Sequence, residues 1–177
     1  MGICYSQNKD LVKHNYTEDE IKNIKTFNQY FSFIEKDAYI CSVYDGDTCT
    51  AIIYINDTPI KINIRMNGYD CPEMKPSKTK YDRDYEIIFA NMAKEKLKNL
   101  ILDKKVKLYS DGLDKYGRLL GTVFINNINI NDFMLKSGYG YKYHGSTKAQ
   151  LEYFKDFYTV NGKKVTITDS HMIQVTV

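Results

Sequence analysis

Hydrophobic and polar positions change rhythm twice along the chain. Over residues 17–35, Ile21, Ile24, Phe27 and Phe31 recur at a loosely helical spacing, and Thr17 with Glu20 makes a capping box, so an accessory helix is predicted there. From Ala38 the period shortens. Residues 39–44, 49–56 and 60–66 are rich in β-branched and aromatic side chains, and Asn56-Asp57-Thr58-Pro59 marks a turn between the last two. Ile60, Ile62, Ile64 and Met66 alternate with Lys61, Asn63 and Arg65, which sends Arg65 to the face opposite the isoleucines. The helical period returns over residues 84–102, where Phe89, Met92, Ala93, Leu97, Leu100 and Ile101 share a face. Two more strands, 105–109 and 119–125, flank a loop from Ser110 to Arg118. Asn126-Asn127 makes a tight turn, Asn131 is expected to cap a short helix ending near Gly138, and a helix-like piece at 149–158 precedes a tail rich in Val and Thr.

Five short strands, with one long helix between the third and fourth and short helices after the fifth, predict an α+β fold that is mainly β. The expected architecture is a small closed barrel of the oligonucleotide-binding (OB) type. The chain divides into an N-terminal anchor segment and accessory helix (1–37), the barrel (38–158) and a tail (159–177). With 177 residues, one domain can build a core without disulfide staples. A formal charge of +3 tolerates a polyanionic partner without announcing one, so any nucleic-acid argument rests on where the charges sit. Sixteen tyrosines and no tryptophan supply flat, half-polar faces that suit base stacking or an ordinary core and rim. Cys4, Cys41, Cys49 and Cys71 have neither metal-site nor disulfide-framework spacing, and read as reduced thiols. The beginning of the sequence has no signal-peptide core. Gly2 with Ser6 fits an N-myristoylation pattern and Cys4 a second acylation site, which predicts an intracellular protein tethered to the cytosolic face of a membrane. The alternative is a chance match.

The chemistry starts at Asp45-Gly46-Asp47. By itself this is a common turn triplet. Downstream it gains Arg65, then Asp70-Cys71-Pro72-Glu73, then Asp114-Lys115-Tyr116-Gly117-Arg118. Asp47 and Asp70 are hard oxygen ligands suited to Ca²⁺ or Mg²⁺. Glu73 could accept a proton from an attacking water. Arg65 and Arg118 could grip phosphate oxygens in pairs as charge builds on them. Metal, base and arginine clamp together make a phosphodiester hydrolysis set.

From Val43 to about Lys148 the chain resembles the staphylococcal nuclease (thermonuclease, micrococcal nuclease) family. The resemblance is carried by Val43-Tyr44-Asp45-Gly46-Asp47-Thr48, by Ile64-Arg65-Met66-Asn67-Gly68-Tyr69-Asp70-Cys71-Pro72-Glu73, and by Asp114-Lys115-Tyr116-Gly117-Arg118. It implies an OB barrel that binds Ca²⁺ through Asp47, Asp70 and the Cys71 backbone carbonyl, with Asp45 shaping the pocket. It implies Glu73 as general base, Arg65 and Arg118 as the phosphate clamp, and Lys115 and Tyr116 as the grip on a terminal phosphate. The implied activity is cleavage of DNA and RNA between phosphorus and the 5′ oxygen, leaving 3′-phosphates, by a monomer. Cys71 stands where the family commonly has Thr. The segment from Tyr141 to Lys148 also departs from the secreted enzymes. There Tyr143 and Lys148 are candidate substrate contacts, or residues of a plain surface loop. The competing readings are a non-catalytic OB-type nucleic-acid-binding module, which the presence of every acid and both arginines disfavours, and an Asp-Gly-Asp phosphatase. The latter needs strands and helices alternating around a parallel sheet.

Overall fold

The computed structural model describes residues 17–77 and 83–143, together with short strand segments at 159–160, 163–167 and 173–175. Two short helices, α1 (Glu18–Asn23) and α2 (Phe27–Phe31), open the described chain, each with a capping box, at Thr17/Glu20 and at Thr26/Gln29. The single helix expected over 17–35 is therefore cut. The second box at Thr26 restarts it, and from Ser32 the backbone is claimed by a sheet.

Strand β1 (Ser32–Val43) pairs antiparallel with β2 (Thr48–Ile55), which pairs with β3 (Thr58–Met66). The two-residue β4 (Tyr69–Asp70) follows, and then the long helix α3 (Arg83–Ile101). Strands β5 (Lys105–Leu113) and β6 (Leu119–Ile125) form the next hairpin, and β5 lies against the other edge of β1. The chain continues through β7 (Ile128–Asn129), α4 (Ile130–Lys136) and β8 (Tyr141–Lys142), the last pairing with β4. The remaining strands, β9 (Thr159–Val160), β10 (Lys163–Ile167) and β11 (Ile173–Val175), form a three-stranded sheet.

The barrel closes where β3 meets β6 in parallel, Ile64 opposite Leu119, Arg65 opposite Leu120 and Met66 opposite Gly121. Closure removes the sheet edges that would otherwise expose unpaired backbone. Its interior holds Ile40, Ile53, Ile64, Met66, Leu108, Leu119 and Val123, and Ala93, Leu97 and Ile101 of α3 complete the core. The expected fold is thus observed: a five-stranded OB-type barrel, mainly β, with the long helix after its third barrel strand. The parallel α/β sheet that a phosphatase would need is not found among the described residues.

Several expected details change. The alternation on β3 buries only its second half; Ile60 remains exposed, because the start of the strand runs beyond the closed part of the barrel. Strand β5 continues through Ser110-Asp111-Gly112, which reads as loop from its polar residues. A bulge near Gly112 (φ 121°) absorbs the irregularity, the Ser110 hydroxyl accepts from the Gly112 N–H, and Asn28 of α2 accepts from the Leu113 N–H. The cap of α4 is Asn129, whose side chain accepts from the Asp132 N–H. Asn131, expected in that role, is buried instead. No helix among the described residues is long and apolar enough to cross a membrane. Gly2, Cys4, Lys148 and the helix-like piece at 149–158 lie outside the described residues.

Candidate active site

Five separate pieces of chain supply the site: the β1–β2 turn, β3, the β4 segment, the β5–β6 turn and β8. The β1–β2 turn brings Asp47 to the end of the barrel beside Arg65, whose β3 position is paired with Thr48. Asp45 Oδ1 accepts from the Asp47 N–H at 3.1 Å, so Asp45 shapes the turn that presents Asp47. Gly46 has a specific reason to be there. A Cβ at this position would lie 2.6 Å from Ala93 Cβ and 2.7 Å from Cys71 Sγ. Close packing against α3 requires the glycine, since Gly46 is absent from the positive-φ residues.

Asp47 and Asp70 are both about 95% buried, each with 5% of its surface exposed. Arg65 joins them. Its NH1 lies 3.1 Å from Asp47 Oδ2, and its NH2 donates to Asp70 Oδ1 at 2.7 Å. NH1 also donates to the Met66 and Tyr69 carbonyls, which pins the guanidinium to its own strand end. Asp47 Oδ2 accepts from the Cys71 N–H at 3.0 Å, and the Tyr141 hydroxyl donates to Asp70 Oδ2 at 2.6 Å. The buried Tyr69 hydroxyl ties the strand to the turn by donating to the Gly46 carbonyl.

Burial pushes the Asp47 carboxyl well above the usual carboxylate range; Arg65 opposes this, and the negative charges of Asp45 and Asp70 add to it. Burial also disfavours the Arg65 charge, yet Asp47 and Asp70 outweigh that and raise its pKa. One guanidinium thus faces two carboxylates, while the charge of Asp45 acts on Asp47. Hard oxygen donors with excess negative charge in a buried corner fit a divalent cation of the calcium or magnesium type. Among the described residues no group of three or more His, Cys, Asp or Glu side chains forms a metal shell by itself. Asp47 and Asp70 are the buried pair of side chains that could contribute oxygen ligands. Burial drives the Cys71 thiol far up and the Cys49 thiol to about 12, so both stay protonated and neither is a nucleophile.

On the other side of Arg65 a groove of about 530 Å³ opens, lined among others by Arg65, Asn67, Lys115, Tyr116, Arg118 and Tyr143. Arg118 is held by Asp114, with Nε and NH2 each 2.7 Å from Asp114 Oδ2. Asp114 Oδ1 accepts from the Tyr116 and Arg118 N–H groups, so a single carboxylate shapes the whole turn. Tyr116 is 72% exposed, with Lys115 Nζ 5.0 Å and the Arg118 guanidinium carbon 5.5 Å from its ring centre. Two cations therefore flank an exposed aromatic face at the groove.

The structure brings Arg65, Lys115, Tyr116, Arg118 and Tyr143 to one groove, and Asp45, Asp47 and Asp70 to one cluster behind Arg65. Glu73, exposed, follows Asp70 by three residues and is not among the groove-lining side chains. A larger groove of about 740 Å³, lined by Tyr39, Tyr54, Lys105 and Phe124 among others, contains none of these residues. Two site partners were not singled out from the sequence. Tyr141 is one tyrosine among sixteen. Asp114 was visible within its motif, but its hold on Arg118 is a tertiary fact.

A profile of the family described as "Staphylococcal nuclease homologue" matches residues 63–163, more than half of the chain. The chain belongs to this family. A probable staphylococcal-like nuclease of Oryza sativa subsp. japonica is 36% identical over 83 residues, covering 47% of this chain and 19% of the rice protein. An uncharacterised endonuclease of Haemophilus influenzae is 30% identical over 104 residues, 59% of this chain and 51% of its own length. An uncharacterised protein of Methanocaldococcus jannaschii is 28% identical over 151 residues, with 72% of this chain and 71% of that protein covered. The chain thus spans about a fifth of the rice relative and about half of the Haemophilus one. For the staphylococcal nuclease family, the β1–β2 turn lies ahead of the matched segment, while Arg65, Asp70, Glu73 and Arg118 lie inside it.

Proposed function

We propose that this protein is a calcium-dependent endonuclease. It hydrolyses DNA and RNA at the bond between phosphorus and the 5′ oxygen and leaves 3′-phosphates. The observation that carries the reading is Arg65, shared between a buried pair of carboxylates on one side and a groove containing Arg118, Lys115 and Tyr116 on the other. Family membership and the printed descriptions of the relatives, nuclease and endonuclease, support it.

Asp47 and Asp70 would hold Ca²⁺, with the Cys71 carbonyl as a further ligand and Asp45 supporting the turn. Bound there, the ion supplies charge to polarise a phosphoryl oxygen and orient water. Arg65 and Arg118 bind the scissile phosphate from the groove and favour the extra negative charge of its transition state. Asp114 fixes the Arg118 guanidinium by its Nε–NH2 edge, which lowers the ordering cost of gripping phosphate. Lys115 and Tyr116 take a neighbouring or terminal phosphate, and Tyr143 lines the path of the strand. Glu73 accepts the proton of the attacking water as its oxygen bonds to phosphorus. The P–O5′ bond breaks, and the departing oxygen takes a proton from solvent.

Single- and double-stranded DNA and RNA are expected to be digested in Ca²⁺ and spared in chelator, with 3′-phosphate ends detected by end-group analysis. Arg65→Ala, Arg118→Ala and Glu73→Gln should each lose about a hundredfold or more, the scale for removing one transition-state stabiliser. Binding of an oligonucleotide without any cleavage in Ca²⁺ would instead establish the non-catalytic OB-type module.

A further inference from the structure

The inner face of α3 contains a residue that does not belong to a core. Glu86 precedes Phe89, Ala90, Ala93, Leu97 and Ile101 by three, four, seven, eleven and fifteen residues, the spacing of one helix face, and all of them are buried. Glu86 itself is only 6% exposed. A leucine there would continue the stripe, and a buried carboxylate is costly unless it makes compensating bonds. Its place in the first turn of α3 lowers that cost, because the helix N-terminus favours negative charge.

One of its bonds reaches the site: Glu86 Oε1 accepts from the Glu73 backbone N–H at 3.2 Å. The segment from Asp70 to Glu73 is thereby fixed at each backbone donor that follows the metal-side carboxylate. The Cys71 N–H goes to Asp47 Oδ2, Pro72 has no N–H, and the Glu73 N–H goes to Glu86. Two carboxylates from elements far apart in sequence therefore set where Glu73 stands relative to Asp70. We infer that Glu86 is a positioning residue: its buried carboxylate anchors the backbone of Glu73 to α3 and so fixes where Glu73 stands relative to Asp70. The inference rests on the nuclease reading only in taking Glu73 as the base.

The test compares Glu86→Leu, Glu86→Gln and Glu86→Asp in the full chain. Leucine extends the apolar stripe but accepts nothing, glutamine keeps an acceptor oxygen at the same reach, and aspartate keeps the charge but withdraws it by one methylene. Expected is a fall in kcat of about tenfold to a hundredfold for Glu86→Leu, the scale of a misplaced catalytic group. KM and calcium affinity, the latter from terbium luminescence, should stay near wild type. Glu86→Gln should recover most of the rate, and Glu86→Asp should resemble leucine. In a Glu73→Gln background Glu86→Leu should cost little more, because the two act as a unit. Wild-type kcat in both Glu86→Leu and Glu86→Asp, or an equal loss in the Glu73→Gln background, overturns the inference. Amide hydrogen exchange at Glu73 gives a readout independent of activity. Faster exchange in Glu86→Leu and Glu86→Asp but not in Glu86→Gln supports the anchor even if the wild type cuts nothing, and unchanged exchange overturns it even if the wild type is an active nuclease. Should leucine prevent folding, aspartate and glutamine decide the same question.

Discussion

Asp70 is gripped from two sides, by Arg65 on Oδ1 and by the Tyr141 hydroxyl on Oδ2. On the proposal that Asp70 holds calcium, such partners orient the ligand, and their removal typically weakens metal binding about tenfold to a hundredfold. Tyr141→Phe is expected to weaken calcium or terbium affinity by that factor, measured by luminescence or calorimetry without substrate. An unchanged affinity would show that Arg65 alone suffices. Asp114 provides a pH test at the same scale. Burial opposes its ionisation, but hydrogen bonds from the Arg118 backbone and side chain and from the Tyr116 N–H outweigh that, and its pKa lies below the ordinary value. A carboxyl with a depressed folded pKa adds stability that is full above its unfolded value of about 3.9. That contribution is lost as pH falls through the folded value. Acid unfolding of Asp114→Asn should therefore have a shallower dependence than wild type below about pH 4. Identical slopes would show that the pair adds nothing to stability.

At the scale of elements, the parallel contact between β3 and β6 is the short seam on which barrel closure depends. Asn131 staples it. Its Oδ1 accepts from the Val123 N–H at 3.0 Å, and its Nδ2 donates to the Asn67 and Gly121 carbonyls at 2.9 Å each. Asn131→Leu keeps the bulk and removes the partner of the Val123 N–H and the Asn67 carbonyl, whereas the Gly121 carbonyl keeps the Asn67 N–H. Each buried group left unmatched costs about 1–3 kcal/mol, so urea denaturation should show a loss exceeding about 2 kcal/mol. A smaller loss would mean that the seam stands without its staple. The same competition between local and tertiary demand explains the helix that ended early. Ser32 to Asp37 could continue a helical period, but pairing with β5 satisfies their backbone and extends β1 instead.

For the whole molecule, the calcium proposal links binding to folding, because Asp47 on the β1–β2 turn and Asp70 in β4 are brought together only by the closed barrel. Ligand that binds the native state alone stabilises it by about 2.7 kcal/mol at a hundred times its Kd. Calcium should accordingly raise the midpoint of thermal unfolding, chelator should reverse the rise, and Asp47→Asn should abolish it. A midpoint indifferent to calcium in the wild type would count against the ion. The formal charge of +3 is small, so the proposed binding of a polyanion rests on the local set of Arg65, Lys115 and Arg118 in the groove.

Residue types and order were legible without coordinates. The strand and helix periods, the long helix after the third barrel strand, and the acids and arginines in their three motifs all follow from local preferences and spacing. Local pattern could not decide what depends on distant partners. Asp45-Gly46-Asp47 reads by itself as a common turn triplet, yet Gly46 is required by the approach of Ala93 and Cys71. Asn131 looks like a cap and is a buried staple, because two backbone groups of β6 and the Asn67 carbonyl just past β3 converge on it. Tyr141 and Glu86 carry no local signature beyond a hydroxyl and a break in an apolar stripe. Their meaning comes from Asp70 and Glu73 across the fold. Short-range sterics and hydrophobic period are written residue by residue, whereas the pairing of a buried polar group exists only once the chain has closed around it.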